Sequence, residues 1–365
     1  MKNFPKVSEI YTPNIDANIP RDYFENENII KKIKNIYKLY RRFMLLCFTS
    51  QRKLLHQSIP LNVKRVLWIN ISSTSIGDSV MELSGRILLK DKYEIDLITD
   101  VKNVALYEND DVFKNIYTSP NRNIKYDFII LDILNTKSIK FKAKHFNGTP
   151  FVTLRGYWDS SNYGRDYNRM LFSYHRVNNL LANQNNNDYI DNIANNYLAK
   201  NNETIVKRNL IISIAIGGED PIRTYKNMKS VVAYMAVNYP DARINLLGSK
   251  NGKISATEIM ALNYSNVYNF VGVTTIQETR DLIAQSNFFI GVDGGLMHIA
   301  EAYKISGVVL FAKYLPKYRL GYNSNLKYIF TFEDINEISL ENIKELLKET
   351  IEIKANKYSD LDNND

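Results

Sequence analysis

Short apolar runs that alternate with helical patterns dominate the sequence between residues 63 and 330. The first series has apolar, β-branched runs at residues 66–69, 93–99 and 126–131, and a helical pattern from residue 77 to about 89. The second has runs at residues 210–215, 243–247, 288–292 and 307–311, and helical patterns at 228–238, 275–285 and 296–303. Strands that alternate with helices in this way form parallel sheets. The pattern therefore predicts an α/β protein with two Rossmann-like units in tandem.

A basic amphipathic pattern precedes these units. From residue 26 to about 56, apolar residues recur every three or four positions, and lysines and arginines lie between them. A helix of this kind can bind an anionic membrane surface, here through residues 26–57. It can equally pack on the folded body with its lysines in water, and the sequence leaves both interpretations open.

Four segments follow from these patterns. Residues 1–60 are expected to form an irregular arm and the basic helix, and residues 61–200 the first Rossmann-like domain. Residues 207–330 are expected to form the second domain, and residues 331–365 a closing helix and a polar tail. The asparagine-rich residues 183–209 indicate a connection between the domains.

Composition adds constraints on partner and compartment. Lys and Arg number 47 against 39 Asp and Glu, and the resulting formal net charge of +8 suits an anionic substrate or surface. Cys47 is the single cysteine, which excludes a disulfide framework and fits a reducing cytoplasm. The sequence contains neither a signal peptide nor a run of about 18 apolar residues. We therefore expect a cytoplasmic protein, peripheral at most on the inner face of the cytoplasmic membrane.

The strongest local signal is the turn Asp293-Gly294-Gly295, between a predicted strand and the next helix. Glycines there allow close approach of a ligand, and the N–H groups of the helix start favour an anion. Asp293 follows the carboxyl end of a strand, where open α/β sheets bind ligands. His298 lies within the first turns of the same helix and is a secondary candidate, since a lone histidine is more often structural.

A second polar loop follows the first predicted strand. It contains Ser72, Ser73 and Gly77, and Asp78 then opens a helix. A carboxylate at this position can accept a proton from an incoming hydroxyl group. It can also serve only as an acid that complements the helix dipole.

A third candidate follows the first strand of the second series. Gly217 and Gly218 permit close backbone approach, and Arg223 and Lys226 could neutralise a diphosphate. A solvated basic loop is an equally good interpretation of this segment by itself.

Several function classes lack their motifs. No Walker-type phosphate loop occurs, and no Gly-x-Gly-x-x-Gly follows the opening strand, which argues against ATPases and nicotinamide enzymes. The four histidines have no ligand spacing, and the single Asp-x-Asp lies in the polar tail, so we expect no metal site. The basic excess lies mainly outside the α/β modules and no recognition motif is present, so we expect no nucleic-acid partner.

Taken together, these motifs resemble glycosyltransferase family 9, the lipopolysaccharide heptosyltransferases. The loop from Ser72 to Asp78 resembles the first family motif, and residues 289–302 resemble its Asp-x-Gly-x-x-His helix entry. Residues 271–286 match the segment that precedes this entry, and the likeness extends over about residues 63–330.

The resemblance implies a GT-B fold, with two Rossmann-like domains facing a cleft, and inverting sugar transfer without a metal. It implies no cofactor beyond the sugar-nucleotide donor, with ADP-heptose as the default, and a lipid-linked, lipopolysaccharide-core-type acceptor. Asp78 would be the general base, with Ser72, Ser73 and Gly77 in the acceptor loop. The donor would be bound by Gly217, Gly218, Arg223, Lys226, Asp293, Gly294, Gly295 and His298.

Two departures from the family keep alternatives open. Arg223-Thr224-Tyr225-Lys226 stands where the family has Lys-x-Trp-Pro, and residues 248–253 lack the acid that usually helps to hold the nucleotide ribose. A different donor, a protein acceptor, or an inactive sugar-nucleotide-binding scaffold are the alternative functions.

Overall fold

The structure is a computed structural model that describes residues 29–72, 75–155, 168–199, 210–218 and 221–362. The chain divides into two compact units, Met1–Ala199 and Lys200–Asp365. Each unit is built on one sheet whose strands are all parallel. The predicted α/β class with two Rossmann-like units is therefore confirmed.

The sheet of the first unit has the strand order β3-β2-β1-β4-β5. Its strands are β1 Arg65–Asn70, β2 Glu94–Thr99, β3 Phe113–Tyr117, β4 Phe128–Ile133 and β5 Phe151–Arg155. β1 and β4 lie at the centre and are buried along almost their whole length, as strands covered on both faces must be. The chain order reverses between these two strands. Their carboxyl ends therefore border the switch point at which open α/β sheets bind ligands.

The helices described in this unit are α1 Ile29–Phe48, α2 Ile76–Leu83, α3 Val101–Val104, α4 Thr136–His145, α5 Arg169–Leu180 and α6 Asn187–Ile193. The helix predicted for residues 77–89 is α-helical only to Leu83 and continues as the 3-10 helix Ser84–Leu89. This tighter segment packs against α5. The packing depends on Gly85, because a Cβ there would lie 2.6 Å from the carbonyl oxygen of Ser173.

α1 is anchored to the first unit by its carboxyl-terminal half. Leu46 is fully buried in the cluster that also holds Leu67 and Ile129 of the central strands. Arg41 donates to the Thr136 hydroxyl group at the start of α4, at 3.2 Å. The predicted helix was expected to reach residue 56, but α1 ends at Phe48 because the chain turns at Ser50, whose φ is 56°.

The sheet of the second unit has the order β11-β10-β9-β6-β7-β8. Its strands are β6 Ile211–Ala215, β7 Arg243–Leu247, β8 Val267–Asn269, β9 Phe288–Val292, β10 Ser306–Ala312 and β11 Leu326–Thr331. Its described helices are α7 Met228–Asn238, α8 Lys253–Met260, α9 Ile276–Ala284, α10 Gly295–Ala302 and α11 Leu340–Asp362. The order reverses between β6 and β9, so the switch point of this unit lies at the carboxyl ends of those two strands.

The core of the second unit is one continuous apolar cluster. It joins the central strands, through residues such as Ile214 and Ile290, to α7 and to Ile343 and Leu347 of α11. α11 therefore closes one face of the sheet, as its amphipathic pattern predicts. Thr275 is the N-terminal cap of α9 and forms a capping box with Glu278. The Thr275 hydroxyl accepts from the Glu278 backbone N–H, and the Glu278 carboxylate accepts from the Thr275 backbone N–H.

The predicted connection at residues 183–209 is wrong in its first part. Residues 187–193 form α6, in which Ile190 is fully buried against Met81 and Tyr174. These residues belong to the first unit, and residues 200–209 lie outside the described part of the chain. The connection was overestimated because asparagines conceal the few apolar positions that anchor this helix.

Among the helices that the structure describes, none combines the length and the apolar character needed to cross a lipid bilayer.

Candidate functional site

Asp78 lies in the first turn of α2, just beyond the carboxyl end of β1. The Ser75 hydroxyl caps this helix by accepting from the Asp78 backbone N–H at 3.2 Å. This cap fixes the backbone of Asp78 relative to the loop. Gly77 lies half-buried in the same turn, and Ser73 lies outside the described residues. The structure therefore places the predicted base at the switch point of the first unit.

A row of alternating charges extends inward from Asp78. Its Oδ1 lies 2.5 Å from Nη1 of Arg169, the first residue of α5. The same guanidinium lies 3.6 Å from the carboxylate of Glu82, which also pairs with Arg155 at 2.8 Å. The Asp78 side chain is 36% exposed, whereas those of Arg169 and Glu82 are 17% and 8% exposed. The row thus begins at the surface and ends inside the unit.

Ser72 holds the loop after β1 to the end of β4. Its backbone N–H donates to Oδ2 of Asp132 at 3.1 Å, and its hydroxyl accepts from Asn135 at 2.8 Å. The Ser72 hydroxyl also lies 3.2 Å from that of Ser138. These contacts give Ser72 a structural role in shaping the loop. Its predicted role towards an acceptor remains a prediction.

Asp132 is a buried carboxyl group at the end of β4. Burial raises its pKa to about 7, and the negative charge of Glu82 adds to the effect. Asp132 and Glu82 also line a small pocket, whose other lining residues are Leu154, Arg155, Arg169, Phe172 and Ser173. The sequence analysis missed this charged cluster. The position of Asp132 directly after an apolar run was a usable signal, but nothing local connects residues 82, 155 and 169.

Asp293 directly follows β9, at the switch point of the second unit. Its buried carboxylate lies 3.7 Å from Nη1 of Arg223 and 3.9 Å from Nε of Arg319. Arg223 comes from a short 3-10 helix after β6, and Arg319 from the loop after β10. Two guanidinium groups from different loops therefore meet at one carboxylate. Arg319 was not predicted, because its sequence neighbourhood carries no motif.

The turn after Asp293 has the geometry of an anion site at a helix start. Gly294 is the N-terminal cap of α10, and no side chain caps the helix. Its φ of −175° is open to any residue, and a Cβ would come no closer than 3.8 Å to the Val292 oxygen. Neither the backbone nor the packing demands glycine at this position. Gly295 begins α10, and His298 is buried within the unit.

The loops after β6 and β7 lie directly on one another. Gly217 has a φ of +83°, in the left-handed region that favours glycine. A Cβ on Gly252 would lie 2.7 Å from the Ile216 carbonyl oxygen, so this position has no room for a side chain. The Asn251 amide donates to the Gly218 oxygen at 2.7 Å. The loop at residues 248–253, which has no acid, is thereby held beside the predicted donor-binding glycines.

Of the two predicted cations after β6, only Arg223 is brought to Asp293. Lys226 is exposed, and its backbone N–H donates to the Asn336 side chain at 2.8 Å. Lys250 and Lys253, in the loop after β7, are also exposed. The second unit thus has cationic side chains on three loops at the carboxyl edge of its sheet.

Comparison with known proteins agrees with this architecture. Residues 232–347 match the family model of glycosyltransferase family 9 (heptosyltransferase). A search of curated proteins by sequence finds no match. Among solved structures, a family 9 glycosyl transferase from Veillonella parvula has a TM-score of 0.63 at 11% identity, and the match covers 81% of this chain and 99% of that one.

Two Escherichia coli enzymes are similar in fold. ADP-heptose LPS heptosyltransferase II has a TM-score of 0.59 at 16% identity, over 80% of this chain and 99% of that one. Heptosyltransferase WaaC, solved with ADP, has a TM-score of 0.60 at 12% identity, over 78% and 99%. At these identities the likeness establishes the fold, which is that of the GT-B heptosyltransferases.

The two parallel units and the family match define the class of this protein, which is a glycosyltransferase. Its carboxyl-terminal unit carries the family 9 match, and the resemblance predicted from the sequence is confirmed.

Proposed function

We propose that the protein transfers a sugar, by default heptose from ADP-heptose, to a lipid-linked acceptor of the lipopolysaccharide-core type. The transfer inverts the anomeric carbon and uses no metal. The observation that carries this proposal is Asp78, a half-exposed carboxylate at the switch point of the first unit. The two units together have the fold of a GT-B transferase. The E. coli relative solved with ADP-2-deoxy-2-fluoro heptose supports the choice of donor.

Asp78 acts as the general base in this proposal. It takes the proton of the acceptor hydroxyl, whose oxygen forms a bond to the anomeric carbon on the face opposite the diphosphate. The bond between that carbon and the phosphate oxygen breaks, and its electron pair leaves with the nucleoside diphosphate. General base catalysis of this kind contributes roughly 10²–10⁴-fold to the rate.

The leaving diphosphate is stabilised by the second unit. Its charge is met by the start of α10 at Gly294 and Gly295 and by the guanidinium of Arg223. Gly294 supports this assignment, since neither its backbone conformation nor its packing requires glycine. Gly217, Gly218 and Lys226 are assigned to the donor site as well, together with His298 of α10.

We further propose that α1 contacts an anionic membrane and brings the enzyme to a lipid-linked acceptor. The amino-terminal half of the helix exposes apolar side chains, 53–74% accessible, at Ile29, Ile30, Ile33, Tyr37 and Tyr40. At about 100° per residue these five positions fall within an arc of about 100° of the helix surface. Exposed Lys34 and Arg41 lie along one edge of this strip. Apolar strips edged by basic residues suit the interface of an anionic bilayer.

The alternatives are tested by the same proteins. A GT-B transferase with another donor or a protein acceptor would keep Asp78 essential but would not use ADP-heptose or a lipopolysaccharide core. An inactive scaffold would bind a nucleotide sugar without needing Asp78.

The D78N variant tests the proposal. We expect release of ADP from ADP-heptose, with a heptose-deficient lipopolysaccharide core as acceptor, to fall by at least about 100-fold. Binding of ADP, measured by calorimetry, should stay unchanged because the donor residues lie in the other unit. Full transfer activity in D78N would exclude Asp78 as the base.

A further inference from the structure

The charge row beginning at Asp78 contains two carboxylates and two guanidinium groups, which come from three secondary-structure elements. Asp78 and Glu82 are one turn apart on α2, so both carboxylates point to the same side of that helix. Arg169 at the start of α5 contacts both, at 2.5 Å and 3.6 Å, and Arg155 at the end of β5 contacts Glu82 at 2.8 Å. The contacts join positions up to 91 residues apart, so the row exists only in the folded unit.

The inner end of the row is buried. Glu82 lies beside Asp132, and Arg155 is the last residue of β5, which pairs with β4 at one edge of the sheet. α5 packs along α2 and along the 3-10 helix Ser84–Leu89 that continues it, and the second of these contacts depends on the absence of a side chain at Gly85. The Arg169 guanidinium therefore contacts the buried Glu82 on one side and Asp78 on the other. A guanidinium held in this way can impose an orientation on a half-exposed carboxylate.

We infer that Arg169 is the positioning residue for Asp78, fixing the orientation of the carboxylate and keeping it ionised before the acceptor binds. This inference rests on the proposed role of Asp78 as the base. Glu82 completes the arrangement, because it keeps a negative charge beside Arg169 when Asp78 has taken the proton. A partly buried guanidinium that keeps an anionic neighbour avoids part of the cost of an uncompensated charge.

The arrangement has a chemical advantage over a lone carboxylate. A base that is already oriented loses no free energy to reorganisation when the acceptor hydroxyl arrives. A neighbouring guanidinium also favours the ionised carboxylate, which is the form that accepts a proton. Both effects act on the chemical step and leave donor binding unaffected.

The R169Q variant tests the inference through its pH profile. We expect kcat to fall by about 100-fold with the KM for ADP-heptose unchanged. The acidic limb of the kcat profile should move upward by about one pH unit, since the charge that favours the ionised form is gone. R169K should return the limb towards its wild-type position, because lysine restores the charge. It should not restore kcat fully, because lysine lacks the planar fork that orients the carboxylate.

R65Q is the matched control. Arg65 also pairs with an aspartate, Asp96, at 3.1 Å in the same unit, but it lies at the amino end of β1, away from Asp78. Its loss should leave the pH profile unchanged. A wild-type profile for R169Q, or an equal shift in R65Q, would overturn the inference.

An activity-free measurement separates this inference from the proposed function. In protein labelled with ¹³Cγ-aspartate, D78N identifies the Asp78 resonance, and R169Q should raise the pH midpoint of its titration. An unchanged midpoint overturns the inference even if D78N is inactive. If D78N keeps its activity, the base assignment fails, and the midpoint still decides whether Arg169 controls Asp78. Should R169Q not fold, kcat is measured on R169K instead, and an undiminished kcat there overturns the positioning role, because lysine keeps the charge but lacks the planar fork.

Discussion

Asp132 shows how one buried residue couples the stability of the first unit to pH. Its folded-state pKa of about 7 lies well above its ordinary value of 3.8. A raised pKa means that the folded state holds the proton more tightly than the unfolded state. The stability contributed by the protonated form is therefore complete below about pH 4 and is lost as pH rises towards 7.

The D132N variant should abolish this loss. Relative to wild type, its free energy of unfolding should increase between pH 4 and pH 8 by roughly 2–4 kcal/mol, because the side chain no longer ionises in the core. Urea unfolding at intervals of one pH unit measures the difference.

Asp127 supplies the opposite case for comparison. Backbone N–H groups of Arg65 and Lys64 donate to the Asp127 carboxylate and lower its pKa. The stability that the ionised Asp127 contributes is therefore lost only below the ordinary pKa of an aspartate. The difference between D127N and wild type should accordingly be flat from pH 4 to pH 8. A flat difference for D132N as well would contradict the assignment of a raised pKa to Asp132.

Single-residue signals in the sequence located the two switch-point turns but not their supporting charges. Asp78 and Asp293 each follow an apolar run and open a helix, so their positions could be predicted from local pattern. Arg169 and Arg319 could not, because each acquires its meaning from a partner distant in sequence. Three-dimensional proximity of this kind leaves no local trace in a single sequence.

At the scale of secondary-structure elements, α1 combines two surfaces in one helix. Its carboxyl-terminal half buries Leu46 in the first unit, whereas its amino-terminal half exposes apolar side chains beside basic ones. The sequence left membrane binding and packing as alternatives. The structure assigns packing to one half, and membrane binding by the other half remains a proposal.

The double variant I33E/Y37E tests that proposal. Adding two negative charges to the exposed strip should reduce flotation with phosphatidylglycerol vesicles by at least about tenfold, because the strip then repels the anionic surface. The matched control is V101E/V273E, which adds the same charges at apolar positions that are 72% and 71% exposed elsewhere. The control should float like wild type. Equal flotation of the two double variants would contradict a role for α1 at an anionic surface. Undiminished flotation of the wild-type protein with vesicles of phosphatidylcholine alone would contradict it as well.

The elements that the sequence predicted share a strong apolar periodicity. β1, β6, β9 and β10 are continuous apolar runs, and they form the centres of the two sheets. The missed elements lack that signal. β8 has only three residues, and α5 buries polar side chains such as His175 and Asn178, so its pattern does not distinguish inside from outside. The secondary structure of such segments depends on tertiary contacts, which the local sequence pattern does not show.

At the scale of the whole molecule, the two sheets have equivalent strand orders. In each, the first strand of the unit lies beside the fourth, and the candidate residues follow at the carboxyl ends of these central strands. Sequence alone predicted two such units because the rhythm of runs and helices restarts after the asparagine-rich segment. The sequence-based domain limits of 61–200 and the unit boundary at Ala199 lie one residue apart at this end, and α6 is the element that packs there.

The proposed donor residues all lie in the second unit, and the nucleotide preference that they imply can be measured on the intact protein. We expect ADP and ADP-heptose to raise the melting temperature, since a ligand that binds only the native state stabilises it by about 2.7 kcal/mol at 100 times its Kd. UDP and UDP-glucose at the same concentrations should produce a smaller shift or none. Equal shifts from both nucleotides would contradict an ADP-sugar donor, and no shift from either would favour the inactive scaffold.

The placement of the two candidate turns also bears on how such an enzyme can evolve. The charge row of Asp78 is encoded between codons 78 and 169, and the loops around Asp293 between codons 217 and 319. Under the proposed function, mutation can therefore change the loop at residues 248–253 while the codons of the charge row are inherited intact. Natural selection could then refine the two proposed tasks separately, and a recombination point between codons 200 and 209 would exchange one of them as a single block of DNA.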